Sequence, residues 1–333
     1  MAEIRIVDTE YAYACAEGDT LLRAALRAGL GLRYECNTGS CGSCKVGLIE
    51  GDVKDLYPGA PGIGMRDRER GRCLACQSVP LGDCVLRARV EGDFVPVHRP
   101  KRMPARLETV RDITRDIREF GFRAEGQAAF LAGQFAMVAF DDGPSRAYSM
   151  SNTSNPEGRW NFMVRRTPDG RMSRALFEME VGGAIEIDAP YGHAYLREDV
   201  SRDIVCIAGG SGIAPMASII DAAAQAGGPA TWFFYGGRGP DDVPRVADLL
   251  GIVEPRQQLQ WHPVISVPAL AEGTDWTGEV GFVHELLPKK LPRPLPEYEY
   301  YVAGPPPMVR ATLQLLAKLG GVPPSQVHAD CFY

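Results

Sequence analysis

Tyr34-Glu35-Cys36-Asn37-Thr38-Gly39-Ser40-Cys41-Gly42-Ser43-Cys44 sets three cysteines at C-x4-C-x2-C, and a fourth follows in Leu74-Ala75-Cys76-Gln77. Thiolates at this spacing, with a distant fourth partner, form the plant-type pattern for a [2Fe–2S] cluster. Gly39 and Gly42 let the loop wrap closely round such a group and turn backbone N–H groups toward its sulfurs. Structural zinc favours paired C-x2-C halves, which Cys36 and Cys41 do not supply, and Cys73 is the only nearby competitor for Cys76. Cys15, Cys73, Cys84, Cys206 and Cys331 read as small apolar residues.

Outward from that loop, Glu3 to Val7 and Tyr11 to Cys15 have the look of short strands. A helix follows, with Asp19 as its cap, Leu21, Leu22, Ala25 and Leu26 as its apolar face, and Gly29 in place for a left-handed C-terminal cap. Between Gly92 and Pro104 periodicity is lost and proline and basic charge accumulate, as at a domain edge. Residues 1–97 are therefore expected to form an α+β domain built round the cysteine loop. In 103–198 the runs Phe135 to Phe140, Trp160 to Arg165 and Ala184 to Ile187 alternate with turn residues, which predicts an antiparallel β-barrel. In 201–333 the runs Ile204 to Ala208, Thr231 to Tyr235, Leu259 to Ile265 and Tyr298 to Ala303 are separated by helical segments. One of these is Pro215 to Ala226, with proline suited to the first helical position. That alternation predicts a doubly wound α/β domain whose ligand lies at the carboxyl ends of its strands.

A chain of 333 residues exceeds what one core organises. With 45% apolar and 23% charged residues and a net charge of −6, there is no excess of Lys and Arg to hold nucleic acid. The N-terminus carries an early acid and no apolar core, so it does not read as a signal peptide, and no run reaches the roughly 18 apolar residues of a membrane span. An odd count of nine cysteines, four of them in a metal pattern, suits reduced thiols and a cytoplasmic location.

Two further motifs carry chemistry. Arg146-Ala147-Tyr148-Ser149 combines a cation for a pyrophosphate, an aromatic plane for an isoalloxazine face and a hydroxyl for flavin N5, which makes Tyr148 and Ser149 the candidate catalytic residues. Gly170-Arg171-Met172-Ser173 precedes a short helical segment, Arg174 to Glu180, and suits a phosphate at a helix start, although a simple N-cap reads the same. Gly209-Gly210-Ser211-Gly212 after a strand is a Gly-rich turn into a helix, an anion site by its N–H groups and dipole. Ala303-Gly304-Pro305-Pro306-Pro307-Met308 follows another strand and should lie at the same sheet edge. After Tyr235, Arg238 would pair with a 2′-phosphate, whereas Asp241 and Asp242 would repel one and accept from a free ribose hydroxyl, which favours NADH over NADPH.

With these motifs in order from Tyr34-Glu35-Cys36 through Tyr235-Gly236-Gly237-Arg238 to the aromatic end, the chain resembles the reductase components of bacterial multicomponent oxygenases. These belong to the ferredoxin–NADP+ reductase superfamily and carry an N-terminal plant-type ferredoxin domain. Its nearest likenesses are the reductases of carbazole dioxygenase and toluene 4-monooxygenase. The resemblance implies FAD held by Arg146, Tyr148, Ser149, the strand Met163, Val164 and Arg165, and the turn Gly170, Met172 and Ser173, with Phe332 near the other flavin face. It implies a nicotinamide nucleotide at Gly210, Ser211, Gly212, Ile213, Ala214 and Pro215, at Arg238 and Asp242, and at Ala303, Gly304, Pro305 and Met308. It implies a cluster on Cys36, Cys41, Cys44 and Cys76 in a β-grasp-like ferredoxin domain over residues 1–97. Much of the superfamily has a cysteine where Ala303 stands, so this chain offers no thiol at that position beside the nicotinamide.

The implied activity is a reductase that passes electrons from NADH through FAD and [2Fe–2S] to a Rieske-type aromatic-ring dioxygenase, directly or through a ferredoxin. The alternative acceptor is a soluble diiron monooxygenase of the toluene 4-monooxygenase type. Readings from other classes are a non-enzymatic iron–sulfur carrier with a docking scaffold and a zinc-stabilised interaction protein. The paired flavin and nucleotide motifs argue against both.

Overall fold

The computed structural model describes residues 1–140, 143, 145–197, 201–245, 248 and 259–332. The chain divides into two compact units, Met1–Arg102 with Ile187–His193, and Met103–Glu186 with Ala194–Tyr333.

In the first unit, β1 (Ala2–Ile6), β2 (Ala12–Cys15), β3 (Lys45–Glu50), β5 (Arg72–Leu74) and β7 (Cys84–Arg87) form a sheet in the order β2-β1-β7-β3-β5. Its β1–β7 pair is parallel and the β1–β2, β3–β7 and β3–β5 pairs are antiparallel. A small ribbon joins β4 (Val53–Asp55) to β6 (Ser78–Pro80). Helix α1 (Leu21–Arg27) buries Leu21, Leu22, Ala25 and Leu26 completely, so the sequence pattern of one apolar face holds. Its cap is Thr20, whose hydroxyl accepts from the Arg23 N–H at 3.3 Å, and not Asp19 as expected.

Asp19 has other work. Its buried carboxylate accepts from Arg27 Nε at 2.8 Å and from Arg102 at 2.9 Å. Arg27 also forks onto Asp188 with bonds of 2.8 and 2.7 Å, and the Tyr191 hydroxyl donates to the same carboxylate at 2.8 Å. Burial pushes the Asp188 carboxyl up, but the Arg27 hydrogen bonds and charge, with Arg23 and Tyr191, outweigh it and hold the group below the ordinary range.

In the second unit, β8 (Lys101–Asp112), β9 (Ile117–Ala124), β10 (Phe135–Ala139), β11 (Arg146–Ser149), β12 (Arg159–Arg165) and β13 (Ala184–Tyr191) follow the order β11-β10-β13-β8-β9-β12. The latter half of β13 is the segment counted with the first unit. An antiparallel bridge between Met150 and Phe162 joins the two outer strands, so the sheet curls into a nearly closed barrel. The residues read as a linker end inside β8, because Lys101 to Pro104 are extended; the stretch paired with β9 starts only at Ala105, so Pro104 removes no N–H from that ladder.

Strands β14 (Asp203–Gly209), β15 (Thr231–Gly237), β16 (Leu259–Ile265), β17 (Glu279–Val280), β18 (Tyr298–Gly304) and β19 (Val327–Cys331) form a parallel sheet in the order β17-β16-β15-β14-β18-β19. The central β14 is apolar on both faces, as a covered parallel strand must be. Ile204, Cys206 and Ala208 pack with residues of α4 (Ile213–Gln225), while Val205 and Ile207 pack with residues of α5 (Val283–Lys290) and α6 (Pro306–Lys318). Helix α4 starts two residues before the expected point, after a 3-10 turn at Gly210–Gly212. Pro215 therefore sits at the third position, still among the N–H groups that have no intrahelical partner.

Asp188→Ala removes one of the two buried carboxylates that hold Arg27 and leaves it only Asp19, and we expect it to lower the unfolding free energy by roughly 2 kcal/mol in a urea titration at pH 7. Because the carboxyl is depressed in the folded state, its contribution is present above the unfolded value of about 3.9 and is lost as pH falls through the lower folded one. The gap between variant and parent should therefore close in acid.

Candidate functional site

The cysteine loop is pinned by a second loop lying against it. The Gly62 N–H donates to the Gly39 carbonyl at 2.9 Å, and a Cβ on Gly62 would fall 2.6 Å from that oxygen and 2.7 Å from the Gly42 nitrogen, so only glycine fits there. The four sequence-predicted cysteines are brought together as two pairs. Cys44 and Cys76 hold their sulfurs 3.2 Å apart, and Cys36 accepts from the Cys41 N–H at 3.4 Å and from the Thr38 N–H at 3.5 Å. Ser43 N–H donates to Cys41 Sγ at 3.4 Å and the Gln77 amide to Cys76 Sγ at 3.6 Å.

In each pair one sulfur is favoured as thiolate by a hydrogen bond from its partner: Cys36 is pushed down to about 4, chiefly by Cys41, and Cys76 is lowered chiefly by Cys44. A two-iron cluster takes two thiolates per iron, whereas a single tetrahedral ion needs its ligands at one point. Among the described residues no three His, Cys, Asp or Glu side chains gather round a single ion. The two-by-two sulfurs, each facing N–H donors, fit a [2Fe–2S] group. Cys73 is half-buried on β5, and its thiol is raised mainly by burial.

On β11, Arg146 and Tyr148 stand opposite Val138 and Ala136 of β10 and share one face by strand alternation. The Arg146 guanidinium is exposed, bonds the Ser145 carbonyl and has no carboxylate partner among the described residues. Tyr148 is raised to about 12 by burial, against the pull of Arg146, and stays protonated at neutral pH. Ser149 is 6% exposed, and its hydroxyl makes no hydrogen bond among the described residues. An orphaned cation, a covered ring and an unpartnered hydroxyl on one short strand fit a flavin. Strand β12, with Met163 and Val164 buried and Arg165 after them, ends the sheet, so its outer backbone edge past the Met150 bridge pairs with no strand.

The neighbouring helix α3 (Arg171–Glu178) begins three residues earlier than expected, capped by Gly170. Ser173 thus lies in its first turn. Its buried hydroxyl donates to the Gly170 carbonyl at 3.1 Å and lies 3.0 Å from the Thr167 hydroxyl, while the Gly170 N–H donates to the Thr167 carbonyl at 3.1 Å, so the turn is closed and Arg171 and Met172 are left to present their N–H groups.

The two Gly-rich turns meet at one sheet edge because β14 and β18 run parallel with Ala208 opposite Ala303. A Cβ on Gly212 would lie 2.1 Å from the Ala303 carbonyl, and one on Gly209 would lie 2.6 Å from Met308 Sδ. Ile213, Ala214, Pro215 and Ala303 are buried, so the turn offers backbone, with Ser211 half-exposed and Pro305 exposed. The Phe332 N–H bonds the Gly304 carbonyl at 3.0 Å, and its ring packs on the core that holds Met163 and Ala303.

Asp242 turns into its own loop, accepting from the Arg238 and Gly239 N–H groups at 3.0 and 3.2 Å and facing Arg115 at 2.8 Å. Arg238 and Asp241 stay exposed. Sequence reasoning missed Arg115, Asp116, which holds Arg165 at 2.7 Å, and Tyr235, whose hydroxyl donates to the Gly210 carbonyl at 3.3 Å. Arg115 and Asp116 belong to no local motif, and Tyr235 stands in the Tyr235-Gly236-Gly237-Arg238 motif, which by itself gives its hydroxyl no role.

Three family models match in succession: a 2Fe-2S iron-sulfur cluster binding domain over residues 4–81, an oxidoreductase FAD-binding domain over 104–195 and an oxidoreductase NAD-binding domain over 206–314. The chain is 42% identical to a ferredoxin–NAD(P)+ reductase of Metapseudomonas resinovorans over 96% of each chain. It is 35% identical to the ferredoxin–NAD+ reductase component of the alkene monooxygenase system of Xanthobacter autotrophicus, over 96% of this chain and 97% of the relative. The solved ferredoxin reductase in carbazole 1,9a-dioxygenase superposes with a TM-score of 0.92 at 35% identity, covering 100% of this chain and 98% of that one.

Gly212→Ala forces the turn away from the Ala303 carbonyl, and we expect it to weaken binding of an adenine nucleotide by at least about tenfold while bound flavin is retained. Calorimetric titration of the purified protein checks this.

Proposed function

We propose, for a chain that belongs to the ferredoxin–NAD(P)+ reductase family of oxygenase electron-transfer components, that it takes electrons from NADH and delivers them singly to a Rieske-type dioxygenase, directly or through a ferredoxin. The observation that carries the reading is the two-by-two set of Cys36, Cys41, Cys44 and Cys76 on the same chain as the flavin and nucleotide motifs. When bound, the flavin accepts two electrons as hydride from the nicotinamide and the cluster accepts one at a time, which is why the two belong in series.

The protein's own residues bind and orient. Arg146 neutralises a pyrophosphate, and Tyr148 covers one flavin face while Phe332 lies at the other. The Ser149 hydroxyl holds the reacting edge. Met163, Val164 and Arg165 offer the free edge of β12, and Gly170, Met172 and Ser173 form the phosphate turn. Gly210 to Pro215, Arg238, Asp242, Ala303, Gly304, Pro305 and Met308 cradle the nucleotide, with Asp242 acting by shaping the Arg238–Gly239 loop. Residues 1–97, 103–198 and 201–333 are the three working modules. No side chain serves as general acid or base.

NADH is the preferred donor: Asp241 stands exposed beside Arg238, and the alkene monooxygenase relative is an NAD+ reductase by name. That same relative supports a second reading, in which the acceptor is a monooxygenase. A cytoplasmic location agrees with nine free cysteines, and no helix among the described residues is long and apolar enough to cross a membrane.

Anaerobic titration with NADH should bleach the flavin and the visible iron–sulfur bands together at low excess, with NADPH needing a larger one. Flavin bleaching with an unreduced cluster would sink the relay, and no bleaching with either nucleotide would sink the reductase reading. Ser149→Ala is expected to slow flavin reduction by roughly 10- to 100-fold in stopped flow with little change in NADH affinity.

A further inference from the structure

The loop that pins the cysteine loop carries an unusual outer surface. The Tyr57 ring comes within 3.3 Å of where a Gly39 Cβ would stand, and Gly62 lies directly on Gly39 and Gly42. Outside this contact Leu56, Tyr57 and Met65 are 49%, 44% and 77% exposed.

The short helix α2 (Met65–Glu69) continues from the loop and is tied back to it by Arg68, which bonds Asp55 at 2.7 Å and the Pro58 carbonyl at 2.8 Å. Asp67 is taken by Lys45 and Arg72. Arg66 and Arg70 are exposed and have no carboxylate partner among the described residues. Residues 54–72 hold five cations, Lys54, Arg66, Arg68, Arg70 and Arg72, against Asp55, Asp67 and Glu69, on a chain whose net charge is −6.

We propose that this surface, Leu56, Tyr57 and Met65 flanked by Arg66 and Arg70 over the cysteine loop, is the dock for an acidic one-electron acceptor protein that presents carboxylates round its own metal centre. The inference rests on the reductase reading above. An electron carrier must approach its acceptor closely yet release it quickly, which suits a small apolar contact that excludes water and a rim of unpaired charge that steers encounter. Free cations locally opposed to the sign of the whole chain confine that steering to the loop that packs on Gly39 and Gly42.

The test compares the parent with Arg66→Glu/Arg70→Glu, both as holoprotein, using an acidic Rieske-type ferredoxin as probe and basic cytochrome c as counter-probe. Affinity for the oxidised ferredoxin, measured without turnover at low ionic strength, should fall by at least about tenfold in the variant, and the difference should close at roughly 0.5 M salt. Reduction of cytochrome c should be unchanged or faster in the variant, and flavin content, iron content and ferricyanide reduction should match the parent. Ferredoxin binding within about twofold of the parent at low salt would overturn the dock. A parent that fails to reduce ferricyanide with NADH overturns the reductase reading instead, so the two failures are distinguishable. Met65→Ala separates apolar contact from steering: it should weaken ferredoxin binding about equally at low and high salt, and no loss at either would overturn the apolar half of the dock.

Discussion

Gly212 lies so close to the Ala303 carbonyl that no side chain can stand between them. That contact follows from the parallel register of β14 with β18, which ends both strands at one level and sends each into a turn on the same edge. The remaining contacts at this edge depend on the same alignment. Met308 reaches under Gly209, Tyr235 secures the Gly210 carbonyl, and Phe332 is delivered to Gly304 by β19, the next strand over. A parallel sheet makes such convergence inexpensive, because the carboxyl ends of neighbouring strands share one edge and the helices that follow them point their N-termini at it.

The cysteine loop obtains its shape by a different route. No regular element runs through Cys36 to Cys44, so the backbone is held by close approach of a second loop at Gly62 and by N–H groups directed at sulfur. Each N–H···S bond favours the thiolate over the thiol, and at Cys36, where two such donors meet, they add to the larger effect of the hydrogen bond from the Cys41 side chain. The loop is thereby prepared for ligands that must be anionic, and the second loop that pins it carries the apolar, cationic outer surface.

What could be read from the sequence was whatever is local. The cysteine spacing, the Gly-rich turn after an apolar run and the alternation of strands with helices all lie within windows of about a dozen residues, where backbone geometry and chemistry coincide. Where a side chain has other partners than its chemistry alone suggests, a competing hydrogen bond or ion pair is the cause. Asp19 has the chemistry of a cap, but Arg27 and Arg102 claim it and leave the cap to Thr20. Ser173 has the chemistry of a phosphate ligand, but Thr167 draws it into a turn. Asp242 has the chemistry of a ribose acceptor, but two backbone N–H groups and Arg115 surround it. Short polar side chains satisfy several roles equally well in sequence, and burial decides among them.

The buried charges round Asp188 illustrate what such a decision achieves. Two buried carboxylates meet there with a half-buried Arg27 and an exposed Arg102, and the desolvation of the carboxylates offsets much of the attraction, so apolar residues of equal volume would hold the fold about as well. What apolar residues would not supply is a fixed register. Arg27 must fork onto Asp188 while Tyr191 donates to the same carboxylate, and the Gly192 N–H must meet the Tyr34 hydroxyl at 2.9 Å, two residues before Cys36. A shift of the Ile187–His193 segment by one residue would break every one of these bonds and leave charges unpaired. The network therefore sets a single position for that segment against the helix and loop that lead into the cysteines, a constraint on geometry more than a source of stability.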